Sequence, residues 1–362
     1  MKSTALHHPL TICIDCRMAD MSGIGVYIRN LVPLCMQALP HVSFRLITSG
    51  SLPFPLPNNA VSVHASSRIY SLREQLELPL LIKGTRGLWA PHYAFPLAAP
   101  IPVLVTVHDL AHLALPEIFS PIQRAYARLL FTGVRLRARA ILFNSQFTKR
   151  EFYKHVGSPS CLTTVTPLGI AHEWFQNYPV ENIFSFPYFL AVGNLKPHKN
   201  LLSLCHAFTN IADEIPHHLI LAGRKEGFIN GIDGKSIESL LPGRIHCTGK
   251  ITFNRLRCIT RGATALVFPS LYEGFGFPPL EALACGTPVI ASDIPPIRET
   301  CGDIVDYIDP YSQENICNAL LRAVHTVTTM DRKELMHRQA RQFIWEKTRE
   351  STTKVLQQVF LQ

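Results

Sequence analysis

The chain alternates short, nearly unbroken apolar runs with longer stretches in which apolar residues recur every three or four positions. Runs at 11–15, 43–48, 61–64, 87–90, 103–108 and 140–144 have almost no polar alternation. Strands of that kind are buried on both faces, as in parallel sheets. Helical periods lie between them, for example over 25–39 and 121–139. The second half repeats the scheme. Strands are predicted at 188–192, 218–222, 244–248, 265–268, 288–291 and 304–308. Helices are predicted at 201–215, 253–262, 279–284, 294–300 and 313–326. Strand and helix in turn predict an α/β fold with a doubly wound parallel sheet in each half.

A chain of 362 residues is long enough for two such cores. The stretch 177–187, with two prolines and no clear period, is the expected linker. It divides the chain into 1–178 and 179–345, two Rossmann-like domains expected to face a cleft. Open α/β sheets bind ligands at the carboxyl ends of their strands.

Hydrophobic residues make up 47% and charged residues 17% of the chain, so disorder is excluded. No apolar run approaches the roughly 20 residues a spanning helix needs. The opening 1–9 is short and polar, and the apolar run after it contains Asp15, which reads as a strand and not a signal peptide. Ten cysteines lie without CxxC pairing, as expected of reduced thiols in a cytoplasmic protein. The formal charge of +9 is uneven: residues 1–178 hold 16 Lys and Arg against 8 Asp and Glu. Such a bias suits an anionic partner or is an ordinary solvated face. No stacking-plus-basic motif points to nucleic acid.

The most informative stretch is FPSLYEGFGFPPLE, 268–281. A buried strand ends at Phe268, a loop follows, and a helix begins near Pro279. Gly274 and Gly276 allow close backbone approach to a ligand. Amides at the helix start suit a diphosphate. Glu281 is placed to accept from ribose hydroxyls and Glu273 from sugar hydroxyls.

Glu273 and Glu281, seven residues apart within EGFGFPPLEA and followed by CGTPVIASD, resemble the E-x7-E motif of the GT4 family of retaining glycosyltransferases, which have the GT-B fold. SGIGVYIRNL at 22–31, TVHDL at 106–110, FNSQFTK at 143–149, TPLGI at 166–170, AVGNLKPHKNL at 191–201, LAGR at 221–224 and FIWEKT at 343–348 agree, in the family's order. The nearest resemblance is to bacterial mannosyltransferases of lipopolysaccharide and exopolysaccharide assembly.

The resemblance implies that Glu281 holds the donor ribose and Glu273 the donor sugar. Gly274, Phe275 and Gly276 would present amides to sugar and phosphate, and Lys199 would stabilise the leaving diphosphate. Relatives carry an arginine where this chain has Asn194, or where it has His198. Lys196 or Arg224 would then supply the second positive charge beside Asn194. Gly23 and Gly25 would form the glycine loop near donor phosphate and sugar. His108 would stand in the cleft, with Asp109 orienting it or lining the acceptor side beside Asn144 and Ser145. The segment 346–362 is expected to be a helix packing back on the first domain.

The implied donor is a nucleotide-sugar, GDP-mannose in preference to a UDP-sugar. The implied acceptor is a glycan or a lipid-linked saccharide. No cofactor and no metal are expected, because no Asp-x-Asp motif is present. In retaining GT-B enzymes the acceptor attacks from the donor's own face and phosphate oxygen helps remove its proton, so no protein nucleophile is required. Domain closure would exclude water. Residues 123–140 carry Arg124, Arg128, Arg135, Arg137 and Arg139 among apolar side chains. They read either as a segment resting on an anionic membrane, at the cytoplasmic face of the inner membrane, or as a core helix with a wet basic side. The competing function is a nucleotide-sugar-binding scaffold without transfer activity.

Overall fold

The computed structural model describes residues 10–176, 183–223 and 234–362. The opening 1–9, most of the expected linker (177–182) and Arg224 lie outside the described residues. The chain divides into two compact units, one of residues 1–169 with 345–362 and one of residues 170–344.

In the first unit the strands are β1 (Thr11–Asp15), β2 (Ser43–Thr48), β3 (Ala60–His64), β4 (Gly87–Ala90), β5 (Val103–Val107), β6 (Ala140–Phe143) and β7 (Leu162–Val165). All neighbours pair in parallel, in the order β3-β2-β1-β4-β5-β6-β7. Every residue of β4, β5 and β6 is buried, which is why they read as continuous apolar runs. The order reverses direction between β1 and β4, and the loops at that switch point are where such a sheet takes a ligand.

The helix Trp345–Phe360 belongs to this unit and buries Trp345, Leu356 and Phe360. Gly87 makes room for it, since a Cβ there would lie 2.2 Å from the Phe360 ring. Thr348 Oγ1 donates to Pro167 O (2.7 Å), and Arg86 Nε donates to Phe360 O (3.1 Å).

The second unit holds β8 (Tyr188–Val192), β9 (His218–Ala222), β10 (Ile245–Gly249), β11 (Ala265–Phe268), β12 (Val289–Ser292) and β13 (Asp306–Ile308). Their order is β10-β9-β8-β11-β12-β13, again parallel. The switch point lies between β8 and β11. These are two Rossmann-like doubly wound sheets, the domains of a GT-B fold.

Candidate active site

At the switch point of the second unit, the turn after β8 and the loop after β11 are tied together. Leu271 N donates to His198 O (2.8 Å). Lys199 Nζ meets Glu273 Oε1 at 2.6 Å, and the ammonium lies 5.3 Å from the centre of the Phe268 ring. The pair is largely shielded from solvent, at 20% and 14% side-chain exposure, so it is worth more than a surface ion pair. Lys199 carries three donors, and two remain to reach a phosphate while one holds Glu273.

Glycines set this geometry. Gly193 takes φ 157°, and an added Cβ there would meet the Lys199 stem only in ordinary contact, at 3.8 Å. Gly223, ending LAG beside it, packs backbone to backbone: a Cβ there would sit 1.9 Å from Gly193 O. Asn194 follows Gly193, and its carbonyl accepts from Lys196 N (2.7 Å).

The helix Phe277–Ala284 starts two residues before its expected boundary, with Gly276 at its N-cap at φ 117°, a backbone conformation that favours glycine. This start changes the expected anion site. Pro278 and Pro279 occupy the first turn and carry no N–H, so a phosphate would be met by the loop amides and not by a full set of helix-start amides. Gly274 belongs to that loop. The Phe275 ring turns inward against Phe277 and Phe343 (centroids 5.7 and 5.8 Å apart) and anchors the loop.

Glu281, one turn into this helix, has no side-chain partner among the described residues. Burial lifts its carboxyl to about 8. A desolvated carboxyl without a side-chain partner among the described residues, one turn past that glycine-rich loop, suits a ligand that brings hydroxyl donors.

In the first unit, His108 follows β5. Its Nε2 donates to Pro91 O (2.8 Å), which fixes the tautomer and leaves Nδ1 as the acceptor. Burial lowers the imidazole to about 4, so it is neutral at physiological pH. Tyr27 packs edge-on against it at 4.8 Å. The carbonyl of Pro91 bonds the ring, whereas the Asp109 carboxylate turns to its own backbone: its Oδ1 accepts from Ala111 N (3.0 Å). Asn144 and Ser145 are supports. Asn144 Nδ2 donates to His108 O (2.8 Å), and Ser145 caps the helix Gln146–His155 through Thr148 N. Both are buried, so they act through the strand end they brace.

Gly23 takes φ 66° at the N-cap of the helix Ile24–Ala38, with open space where a Cβ would be. Gly25 is a packing residue: a Cβ there would meet Ala19 O at 2.7 Å and Met18 O at 2.9 Å.

The same switch point holds a buried charge network that sequence reasoning missed. Arg17 donates through Nη2 to Asp15 Oδ2 (2.7 Å) and Glu74 Oε2 (3.0 Å), and through Nε to Asp15 Oδ1 (2.9 Å). His92 Nε2 faces Asp15 Oδ2 at 3.3 Å. Burial opposes ionisation of Asp15, but the nearby His92 and the bonds from Arg17 outweigh it and hold the carboxyl well below its usual range. Burial pushes Glu74 upward against the pull of Arg17. The only local signal was Asp15 within an apolar run, two residues before Arg17. Glu74 lies 57 residues further from Arg17 and is brought in by the fold.

Two Rossmann-like sheets, one with a lysine–carboxylate pair, a glycine-rich loop and a desolvated carboxyl at its switch point, form a frame suited to a nucleotide-activated sugar. Residues 180–342 match the glycosyl transferases group 1, and residues 34–174 match Glycosyltransferase Family 4. The chain is 30% identical over 273 residues to the O-antigen chain mannosyltransferase RfbU of Salmonella typhimurium, covering 73% of this chain and 74% of that one. It is 26% identical over 357 residues to O-antigen chain mannosyltransferase B of Escherichia coli, covering 90% and 93%. The structure of sucrose-phosphate synthase from Thermosynechococcus elongatus superposes with a TM-score of 0.77 at 19% identity, covering 97% of this chain and 99% of that one. The chain belongs to the group 1, family 4 glycosyltransferases.

Proposed function

We propose that this glycosyltransferase moves mannose from GDP-mannose, with retention, to a growing glycan or lipid-linked saccharide in O-antigen assembly. On this reading it works in the cytoplasm, at the inner face of the inner membrane. The observation that carries the site assignment is the Lys199–Glu273 pair, held between the ends of β8 and β11 with Glu281 in the following helix. Mannose and the O-antigen acceptor rest on similarity to the two O-antigen mannosyltransferases.

Departure of a nucleoside diphosphate builds negative charge on phosphate, and a shielded ammonium beside loop amides offsets that charge. Glu273 holds the ammonium in place and accepts from donor-sugar hydroxyls. Glu281 takes the ribose. His108, neutral and with Nδ1 open to a donor, accepts from a sugar hydroxyl and is unsuited to acting as a cation.

The test is a thermal-shift panel of GDP, UDP, ADP and their sugar conjugates with EDTA present, followed by transfer from the best binder to an O-antigen acceptor. A rise confined to GDP and GDP-mannose, with mannose transfer, is expected. A rise confined to UDP or its sugars would replace the donor assignment. Binding without any transfer would favour the scaffold reading.

A further inference from the structure

Near His108 the first unit presents one exposed tyrosine ring that neither its core nor the donor chemistry uses. Tyr70 lies in the turn before the helix Glu74–Leu81 and is 38% exposed. Its ring centre is 6.4 Å from that of His92 and 5.4 Å from that of Tyr93, the two residues that follow Pro91. Pro91 O in turn accepts from His108. Tyr70 therefore stands beside the carboxyl end of β4, at the switch point where a doubly wound sheet takes its ligand.

Its conformation is costly. Tyr70 takes φ 63°, and Asn200 is the other non-glycine residue with positive φ among the described residues. A bulky side chain is strained there and persists only where its surroundings hold it. Glu74 does the holding: its Oε1 accepts from Tyr70 N (3.1 Å) while its Oε2 accepts from Arg17 (3.0 Å). Arg17 is bound in turn to Asp15, the last residue of β1. The buried charge network thus ends as a clamp on the Tyr70 backbone. A turn that only had to close would take glycine or asparagine at such a position. Strain kept for an aromatic ring directs attention to what the ring does.

The ring has an inner and an outer end. Burial raises the Tyr70 hydroxyl above the ordinary tyrosine range, and the hydroxyl bonds Tyr93, so the exposed part is the aromatic face. Tyr93 is seated on the core by stacking on Phe131 (4.3 Å). Beyond it the aromatic wall continues through His112, 3.3 Å from the Tyr93 hydroxyl and stacked on Phe119 at 4.1 Å. Asp15, Glu74 and Asp109 all act on the Tyr70 hydroxyl, so the ground around the ring is acidic.

This combination selects a ligand class. The face of an aromatic ring is negative, and a pyranose offers it one face of weakly positive C–H groups. The sugar's rim of hydroxyls donates to carboxylates. A phosphate group would instead meet like charge, although Arg68 and Arg73 are exposed in the same turn, which makes sugar phosphates the natural contrast.

We propose that Tyr70 is the stacking platform for the terminal sugar of the acceptor, taking the C–H face of an uncharged pyranose near His108. The proposal rests on the reading of this chain as a transferase to a saccharide acceptor.

The experiment is saturation-transfer NMR of the full chain with GDP and UDP present. The probes are the methyl glycosides of glucose, galactose, mannose and N-acetylglucosamine, with the 6-phosphates of glucose and mannose as contrasts. Saturation of the C–H protons of at least one glycoside is expected, stronger than for either phosphate. Tyr70→Phe keeps the ring and should keep the signal. Tyr70→Asn suits the backbone but removes the ring, and should lower the signal and raise the acceptor KM at least about 10-fold with the thermal melt retained. Should Tyr70→Asn misfold, 3-fluorotyrosine labelling is the second measurement: the fluorine resonance missing from Tyr70→Phe should shift in the parent when the glycoside is added. Four results would overturn the proposal: no saturation with any glycoside, preference for a sugar phosphate, a folded Tyr70→Asn that binds like the parent, or an unmoved Tyr70 resonance. Ring-dependent glycoside binding by a chain that binds no nucleotide would uphold the subsite and remove the donor reading. Nucleotide binding and sugar transfer with acceptor KM unchanged in Tyr70→Asn would do the reverse.

Discussion

Lys199 and Glu273, 74 residues apart in the chain, meet at 2.6 Å across the ends of two neighbouring strands. The pair couples the turn expected to hold phosphate to the loop expected to hold sugar, so the two residues should behave as one unit. Lys199→Met and Glu273→Gln are each expected to lower kcat about 10²–10³-fold. The double variant should be little worse than either single one. Steady-state sugar transfer by the four proteins checks this, and fully additive losses would separate the two roles.

Glu281 gives a pH signature. Burial holds its carboxyl at about 8, above its unfolded value. An acid raised on folding contributes stability that is fully present at low pH and is lost as pH climbs from its unfolded value toward about 8. Glu281→Gln should therefore melt higher than the parent at pH 8 and about the same at pH 4. Binding of a nucleotide whose ribose donates to the ionised carboxylate should tighten across the same interval. Calorimetry in two buffers of different ionisation enthalpy should find a proton released at pH 7 by the parent and none by Glu281→Gln.

His108 runs the opposite way. Burial lowers it to about 4, so its protonation opposes folding, and stability falls as pH drops from about 6.5 through 4. Its imidazole signal should stay flat in proton NMR from about pH 5.5 upward. A midpoint near 6.5 would mean that the ring is more solvated than its place beneath Tyr27 implies.

Arg17 separates two buried carboxyls, and its removal should be costly. Arg17→Met takes the guanidinium from both carboxyls, leaving Asp15 with His92 alone and Glu74 unpaired with a cation, and is expected to cost about 3–5 kcal/mol in urea unfolding at pH 7. The loss should shrink in acid as the carboxyls protonate.

Gly223→Ala tests how the donor end is held. A Cβ 1.9 Å from Gly193 O must push the ends of β8 and β9 apart and carry the Lys199 turn with them. Loss of transfer of at least about 10-fold is expected, because displacements of about 1 Å cost that much or more. Gly50→Ala, where nothing lies within 4 Å of the added carbon, is the control.

The central strands were legible because a strand buried on both faces has no polar alternation to blur it: the expected 87–90 is β4 to the residue. The edge strand β7 escaped notice, since Leu162–Val165 is only half-buried and half threonine. The helix expected over 201–215 ends as an α-helix at Ile211 and tightens into a 3-10 turn, Ala212–Glu214, two residues before Pro216. The E-x7-E segment and KPHKN singled out Glu273 and Lys199 one by one, but not that the two side chains meet. Contacts such as Lys199–Glu273 and Arg17–Glu74 are made by strand order, which local pattern does not encode. The supporting roles of Asn144, Ser145 and Asp109 were hidden for the same reason: their partners are backbone groups, which carry no sequence identity.

The space kept by Gly87 for Phe360 also bears on synthesis. The first unit is built from two separate stretches of chain, 1–169 and 345–362, with the second unit inserted between them. On the ribosome the inserted unit can therefore be finished before the unit that precedes it. Until residue 360 emerges, the slot over Gly87 stays an open apolar seam, and a chain stalled before that point presents it to chaperones and proteases.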